Sequence, residues 1–156
     1  MVLDQAPVTE LLTFLRSHYV GVLATVAPGN TAHATSIFYY PEDDLRCYFL
    51  TKNETHKFNN IKENHSVALV VSDPLTLQTV QVQGLAKEVD YTLEFASTMK
   101  KYTEMLSKSG NQWDSIPLNH INNVGYFTLV QITPTWIRWT DFKNWGQTIK
   151  FEQTFP

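Results

Sequence analysis

Residues 49–61 contain the side chains whose types and spacing point most directly to chemistry. A strand-like run ends at Thr51, a short loop follows, and a helical pattern starts at Thr55 with Lys57 in its first turn. The free backbone N–H groups and the dipole of a helix start attract an anion. Lys57 adds a full positive charge, the two threonine hydroxyls can donate hydrogen bonds, and His56 can add a further donor. The pattern predicts a phosphate-binding site without the glycine-rich loop of a Walker motif.

The same segment also fits an ordinary capped surface helix that carries a solvated lysine. Lysine is frequent on helices, so residues 49–61 taken alone favour this simpler interpretation. The choice between the two interpretations therefore depends on the segments that surround the helix.

Neither the histidines nor the cysteine indicates a metal site. The five histidines show no helical i, i+4 pair and no pairing with cysteine, so zinc is not expected. Cys47 is the single cysteine and lies in an apolar strand pattern, which argues against a disulfide, a multi-thiolate metal site and a cysteine nucleophile. A haem needs only one axial histidine, so haem binding remains an alternative.

The elements that would position these residues are mostly strands. Hydrophobic periodicity predicts helices near 8–15, over 55–64 and over 91–107. Strands are predicted over 20–26, 32–40, 45–51, 66–73, 77–89, 126–133 and 135–140. Seven strands with two or three helices in one small domain imply a barrel-like α+β fold.

Several details of this fold are also predicted. We expect the first three strands to form an antiparallel meander, and the continuous apolar run 66–73 to be buried on both faces. Gly84 predicts a bulge or bend, and Pro134 divides the last two strands. Residues 111–123 have no clear period and are expected to form an irregular loop, whereas the aromatic tail 141–156 is expected to pack against the rest of the chain.

Length, composition and charge limit the class of protein. A chain of 156 residues with 43% apolar and 17% charged residues predicts one folded domain over 1–156. No run approaches the roughly 18 apolar residues of a membrane span, and the N-terminus lacks the pattern of a secretory signal. The net charge of −3 is spread along the chain without a basic stripe. We therefore expect a cytoplasmic protein whose partners include neither membranes nor nucleic acids.

Five segments, taken in order, give the chain a family resemblance. They are Leu23-Ala24-Thr25-Val26, the turn and strand from Gly29 to Thr35-Ser36-Ile37, Phe49-x-Thr51 followed by Thr55-x-Lys57 and Asn60, residues 64–71, and residues 80–86. Together they resemble the pyridoxamine 5′-phosphate oxidase-like, FMN-binding split-barrel family, well over 9–89 and more loosely over 126–141. The resemblance implies an α+β fold, an antiparallel split β-barrel of six or seven strands with two or three flanking helices.

The resemblance also implies that FMN lies between the subunits of a two-fold homodimer. Its phosphate would be held by Thr51, Thr55, His56 and Lys57, and its isoalloxazine ring would be lined by Thr35, Ser36 and Ile37. Thr79 and Gln81 would reach the ring edge or the ribityl chain, and Trp136 and Arg138 of the second subunit would close the site. The residues themselves leave simpler alternatives open, because a solvent-facing strand explains Gln81 and Gln83 equally well, and core packing is the simpler role for Trp136 and Trp139.

Two departures from the family pattern affect the expected function. Thr35 and His56 stand where the true oxidases have arginine, and Ile137-Arg138-Trp139-Thr140-Asp141 lacks the Arg-x-His motif that grips the phosphate of their substrate. The resemblance therefore implies that the flavin site is retained and that the pyridoxine 5′-phosphate site is not.

The leading hypothesis is a flavin-dependent oxidoreductase in which the flavin supplies the redox chemistry and no catalytic side chain is identified. The alternatives are a non-catalytic protein that stores or senses FMN or haem, and a dimeric scaffold that has lost its cofactor. The deazaflavin F420 is an alternative to FMN.

Overall fold

The computed structural model describes residues 5–90, 93–108, 126–143 and 146–156. Three α-helices lie in these ranges: α1 Gln5–Ser17, α2 His56–Glu63 and α3 Leu93–Lys108. The strands in the same ranges are β1 Val20–Ala27, β2 Thr31–Phe38, β3 Tyr40–Pro41, β4 Cys47–Lys52, β5 Ser66–Asp73, β6 Gln78–Glu88, β7 Phe127–Asp141 and β8 Thr148–Thr154. The predicted loop at 111–123 lies outside the described residues.

The strands form one antiparallel sheet in the order β2-β1-β5-β6-β7-β4-β3, with β8 added to β7. Seven of the strands have six or more residues, and β3 has only two. The sheet curls around α1, and the three helices flank it. The predicted α+β split barrel is thus confirmed.

The first two strands pair as the sequence predicts. Gly29 and Asn30, in the turn between β1 and β2, adopt left-handed conformations with φ of 74° and 60°, which glycine and asparagine tolerate better than other residues. The predicted three-strand meander is wrong, however. β4 leaves β2 and pairs with β7 from Cys47 opposite Ile132 to Lys52 opposite Phe127. This long-range pairing carries the end of β4 to the far edge of the sheet.

β7 is one continuous strand, so the prediction of two strands divided at Pro134 is wrong. Its first half, 127–132, pairs with β4, and its second half, 136–141, pairs with β8 along the same edge. Pro134 lies between the two partners, where its missing N–H leaves no ladder hydrogen bond unmade. The strand can therefore pass through the proline without breaking.

The predicted bulge at Gly84 is confirmed, because the register between β6 and β7 shifts between Gln83 and Gly84. A Cβ atom at Gly84 would lie 2.4 Å from the carbonyl oxygen of Thr133. The backbones therefore approach more closely there than any residue other than glycine allows.

The core fills the inner side of the sheet. Leu11 and Leu15 of α1 pack there with Leu23, Leu69 and Ile137, all almost fully buried. β5 alternates between buried and half-buried residues, so the prediction that it is buried on both faces is wrong. Its second face belongs to the outer face of the sheet, the side of β1, β2, β5, β6, β7 and β8 that points away from α1.

A second cluster lies under α3, where Met99 contacts the buried Tyr48 and Leu129. The expected packing of the C-terminal tail is confirmed, since β8 pairs with β7 and Phe151 packs against the main core. None of the helices among the described residues is long and apolar enough to cross a membrane.

Candidate functional site

The turn from Thr51 to Phe58 joins the end of β4 to the start of α2. Thr55 has extended backbone angles and caps the helix, because its Oγ1 accepts a hydrogen bond of 3.4 Å from the N–H of Phe58. The hydroxyl oxygens of Thr51 and Thr55 lie 2.9 Å apart. The N–H and the hydroxyl of Thr55 both donate to the carbonyl of Lys52, at 3.3 Å and 3.0 Å. These contacts fix two hydroxyls side by side at the start of a helix, as the sequence predicts.

The turn borders a cleft of about 320 Å³. Of the residues predicted to bind a cofactor, Ser36, Ile37, Thr51, Thr55 and Lys57 line this cleft. Its remaining lining residues are Val20, Phe38, Leu50, Lys52, Tyr102, Leu106 and Phe127. The turn and the start of α2 contribute Thr51, Lys52, Thr55 and Lys57, which we call the polar end of the cleft, and most of the other lining residues are apolar. The cleft therefore suits a ligand with an anionic group joined to an apolar body.

Lys57 is the charged group of greatest interest in the cleft. Burial lowers the pKa of its ammonium group, because desolvation disfavours the charged form. Among the described residues no carboxylate forms an ion pair with Lys57. A partly desolvated cation beside two hydroxyls and a helix start is a site that a bound anion would complete.

His56 and Thr35 do not line the cleft. The ring of His56 is exposed and lies 6.0 Å from the ring of His33 on β2. Behind these rings, the buried Asn60 donates a 2.9 Å hydrogen bond to the hydroxyl of Thr25 and ties α2 to β1. The hydroxyl of Thr35 makes a long contact of 3.5 Å with the carbonyl of Ser36. Both side chains thus lie beside the predicted site without facing it.

The other predicted residues, Thr79, Gln81, Trp136 and Arg138, lie on the outer face. Gln81 pairs with Val70 on one side and with Arg138 on the other. Three strand spacings, about 14 Å, separate Gln81 from the row of Ser36 on β2. Within one chain, these four residues therefore lie apart from the cleft.

The burial of the amide and aromatic residues within one chain can be compared with the simpler roles considered for them. Gln81 and Gln83 are exposed, and Val80 and Val82 on the opposite side of β6 are buried. Trp139 is buried in the core, which confirms core packing for that residue. Trp136 is half-exposed on the outer face, so core packing is the wrong role for it.

A carboxylate not singled out from the sequence, Glu152 of β8, organises the outer face. Its Oε1 accepts hydrogen bonds from Nη2 of Arg138 at 2.8 Å and from Nε1 of Trp136 at 3.1 Å. The guanidinium carbon of Arg138 lies 5.2 Å from the centre of the Trp136 ring. The bond from Arg138 is the main reason that the pKa of Glu152 lies below its ordinary value.

The apolar wall of the cleft was also not indicated by the sequence. Tyr102 and Leu106 of α3 form part of this wall, and the hydroxyl of Tyr102 donates a 3.1 Å hydrogen bond to the carbonyl of Phe38. The helical spacing of these residues signals a buried face. It does not signal that this face closes a cleft against β2 and β4.

Comparisons with known proteins agree with the fold. The family model described as pyridoxamine 5′-phosphate oxidase matches residues 8–141. A putative pyridoxamine 5′-phosphate oxidase from Listeria innocua is 23% identical, with a TM-score of 0.63 over 85% of this chain and 96% of that chain. A pyridoxamine 5′-phosphate oxidase-related, FMN-binding protein from Nostoc punctiforme is 14% identical, with a TM-score of 0.68 over 99% and 97%.

A heme-binding protein from Mycobacterium smegmatis is also similar in structure. It is 16% identical, with a TM-score of 0.74 over 98% of this chain and 60% of that chain. No curated protein matches the chain in sequence. At these identities, the solved structures establish a shared fold.

Proposed function

The chain belongs to the pyridoxamine 5′-phosphate oxidase family, and from this premise we propose that it is an FMN-binding flavoprotein that acts as a flavin-dependent oxidoreductase. The observation that carries the proposal is the environment of Lys57. This partly desolvated cation has no carboxylate partner among the described residues, and it lies with Thr51 and Thr55 at the polar end of the cleft. A phosphate is the anion that such a group of donors fits.

Thr51, Thr55 and Lys57 hold the FMN phosphate in this proposal, and Ser36 and Ile37 line the path toward the ring. Bound flavin supplies the redox chemistry, while the chain binds it, orients it and limits its contact with water. No side chain of the cleft is assigned as a proton donor or acceptor.

We also propose that the protein is a homodimer that pairs through the outer face. Val20, Val22 and Leu85 are exposed there by 44%, 46% and 52%, which is unusual for three apolar residues on one sheet. Val20 and Ser36 belong both to this face and to the lining of the cleft. A second copy seated on the face would cover the mouth of the cleft, and its Trp136 and Arg138 would then come within reach of the cofactor.

Haem is less well supported than FMN as the cofactor. The name of the Mycobacterium smegmatis structure raises haem as an alternative. An axial ligand is required, and no histidine lines the cleft among the residues that the structure describes. FMN storage or sensing without turnover stays the second candidate function, because it uses the same cleft.

An absorption spectrum of the purified protein tests the cofactor. The two visible bands of an oxidised flavin are expected after incubation with FMN and removal of the excess. A Soret band after incubation with haem, or the spectrum of F420 alone, would contradict the proposal. Turnover of added electron donors by the loaded protein then separates an oxidoreductase from a storage protein.

Sedimentation at micromolar concentration tests the dimer. Val22→Asp places a charge in the centre of the outer face and is expected to give a monomer. Leu75→Asp is the matched control, because Leu75 is 92% exposed in the turn between β5 and β6. A monomeric wild-type protein would refute the pairing.

A further inference from the structure

The outer face carries a small group of side chains that can contact a planar ligand, formed by Trp136, Arg138, Gln81 and Glu152. The four lie in neighbouring positions on β6, β7 and β8, because Arg138 pairs with Gln81 on one side and with Glu152 on the other. We refer to these four residues as the Trp136 surface. It combines an aromatic ring with polar groups that have fixed positions.

The positive charge of this surface is compensated within the chain. The carboxylate of Glu152 lies 2.8 Å from Nη2 of Arg138. Nε of Arg138 is buried and has no hydrogen-bond partner among the described residues, so it offers no donor to a ligand. On the side of β6, Arg138 pairs with Gln81, whose amide is uncharged. An incoming anion that pairs with Arg138 would therefore either displace Glu152 or lie directly beside its carboxylate.

Displacement would break two hydrogen bonds, since Glu152 also accepts from the indole N–H of Trp136. It would also leave the carboxylate beside the incoming anion, and like charges at such distances repel. An uncharged ring can stack on Trp136 without disturbing either bond. The arrangement therefore favours an uncharged planar ligand over an anionic one.

We propose that the Trp136 surface binds an uncharged planar substrate, and that Glu152 is the specificity-determining residue that rejects phosphorylated and other anionic substrates. The proposal rests on the proposed function, because it places this surface of one subunit beside the flavin of the other. It extends that function by naming the class of substrate.

The indole N–H signal of Trp136 in NMR spectra tests the proposal. Trp136→Phe assigns the signal. 1-Naphthol and 1-naphthyl phosphate, which differ only in the phosphate group, are then titrated into the full-length protein. We expect 1-naphthol to bind at least about fivefold more tightly in the wild type, and Glu152→Gln to remove that preference.

Two further variants separate charge from structure. Glu63→Gln removes another exposed carboxylate, at the end of α2, and is expected to keep the preference of the wild type. Glu152→Asp keeps the charge on β8 and is expected to restore the preference that Glu152→Gln loses.

Equal or tighter binding of 1-naphthyl phosphate, measured with the cleft filled by FMN or in Lys57→Met, would overturn the proposal. An unchanged preference in Glu152→Gln, or no shift of the Trp136 signal with either probe, would overturn it as well. Titrations are made with and without FMN, and the flavin spectrum reports cofactor binding separately. A protein that keeps the preference but binds no FMN would contradict the proposed function and leave the ligand class supported.

Discussion

Lys57 in the cleft and Arg138 on the outer face are both partly buried cations, yet they differ in whether a carboxylate balances their charge. Arg138 receives a carboxylate from β8 at 2.8 Å. Lys57 receives no carboxylate among the described residues, only two nearby hydroxyls and a helix start, and burial lowers the pKa of its ammonium group. A cation without a partner is open to an external anion, whereas a compensated cation mainly fixes its neighbours. The difference supports the proposed placement of the anion site in the cleft.

Replacing Lys57 tests whether the cation in the cleft binds an anion, and we expect the largest effect here. Lys57→Met removes the charge and keeps the apolar stem, and we expect FMN to bind about 10- to 100-fold more weakly, which corresponds to roughly 1.5–3 kcal/mol. Titration of flavin fluorescence measures the affinity. Lys62→Met, on the exposed end of the same helix, is the control and should bind FMN like the wild type. An unchanged FMN affinity in Lys57→Met would show that the cleft does not hold the phosphate through Lys57.

The hydroxyl of Thr55 is expected to have a smaller effect with two components. Thr55→Val keeps the shape of the side chain but removes both the helix cap and a phosphate donor. The free energy of unfolding should fall by about 1 kcal/mol, and FMN affinity by about fivefold. Urea unfolding and fluorescence titration measure the two quantities. Thr9→Val, in α1 and away from the cleft, should leave the affinity unchanged.

Alkaline pH should weaken FMN binding through Lys57. Burial lowers the pKa of Lys57 in the free protein below 10.5, and a bound phosphate favours the charged form, which raises that pKa again. Affinity is therefore expected to be constant at neutral pH and to fall a few-fold as the pH rises through the window below 10.5. The same titration on Lys57→Met should show no such fall. A similar decline in both proteins would assign the pH effect to another group.

Acidification should break the contact between Arg138 and Glu152. Of the four predictions, we expect this one to have the smallest effect. The pKa of Glu152 is lowered from 4.5, first by its hydrogen bond to Arg138. The contact is therefore present at neutral pH and should be lost only as the pH falls below 4.5. The Trp136 indole signal should shift over that range and stay fixed in Glu152→Gln. A shift centred above 4.5 would show that Arg138 does not hold the carboxylate.

Local features of the site could be predicted from the sequence because they depend on neighbours along the chain. The cap at Thr55 and the position of Lys57 in the first turn follow from residues within one helical turn. The bulge at Gly84 was likewise indicated by one residue in a strand pattern. The cap at Thr55 and the position of Lys57 explain the polar end of the cleft.

The remaining features depend on pairings between distant segments. Glu152 contacts Arg138 only because β8 pairs with β7, and Tyr102 reaches the cleft only because α3 covers β4. The prediction that β5 is buried on both faces is wrong for a related reason. Ala68 and Val70 are apolar, but they lie on the outer face, where a second copy of the chain would be needed to bury them. Hydrophobic pattern alone does not separate burial in a core from burial in an interface.

The pairing of β4 with β7 also has a consequence for the order of folding. Thr51 lies opposite Thr128, a residue 77 positions later in the chain, so the edge of the cleft cannot form before the first half of β7 has been synthesised. Contacts this distant in sequence form slowly, because a long loop must close before they contribute stability. On the ribosome, the β1–β2 hairpin can form early, but the cleft reaches its final shape only after β7 emerges. Binding of the proposed cofactor would therefore have to wait until most of the chain has been synthesised.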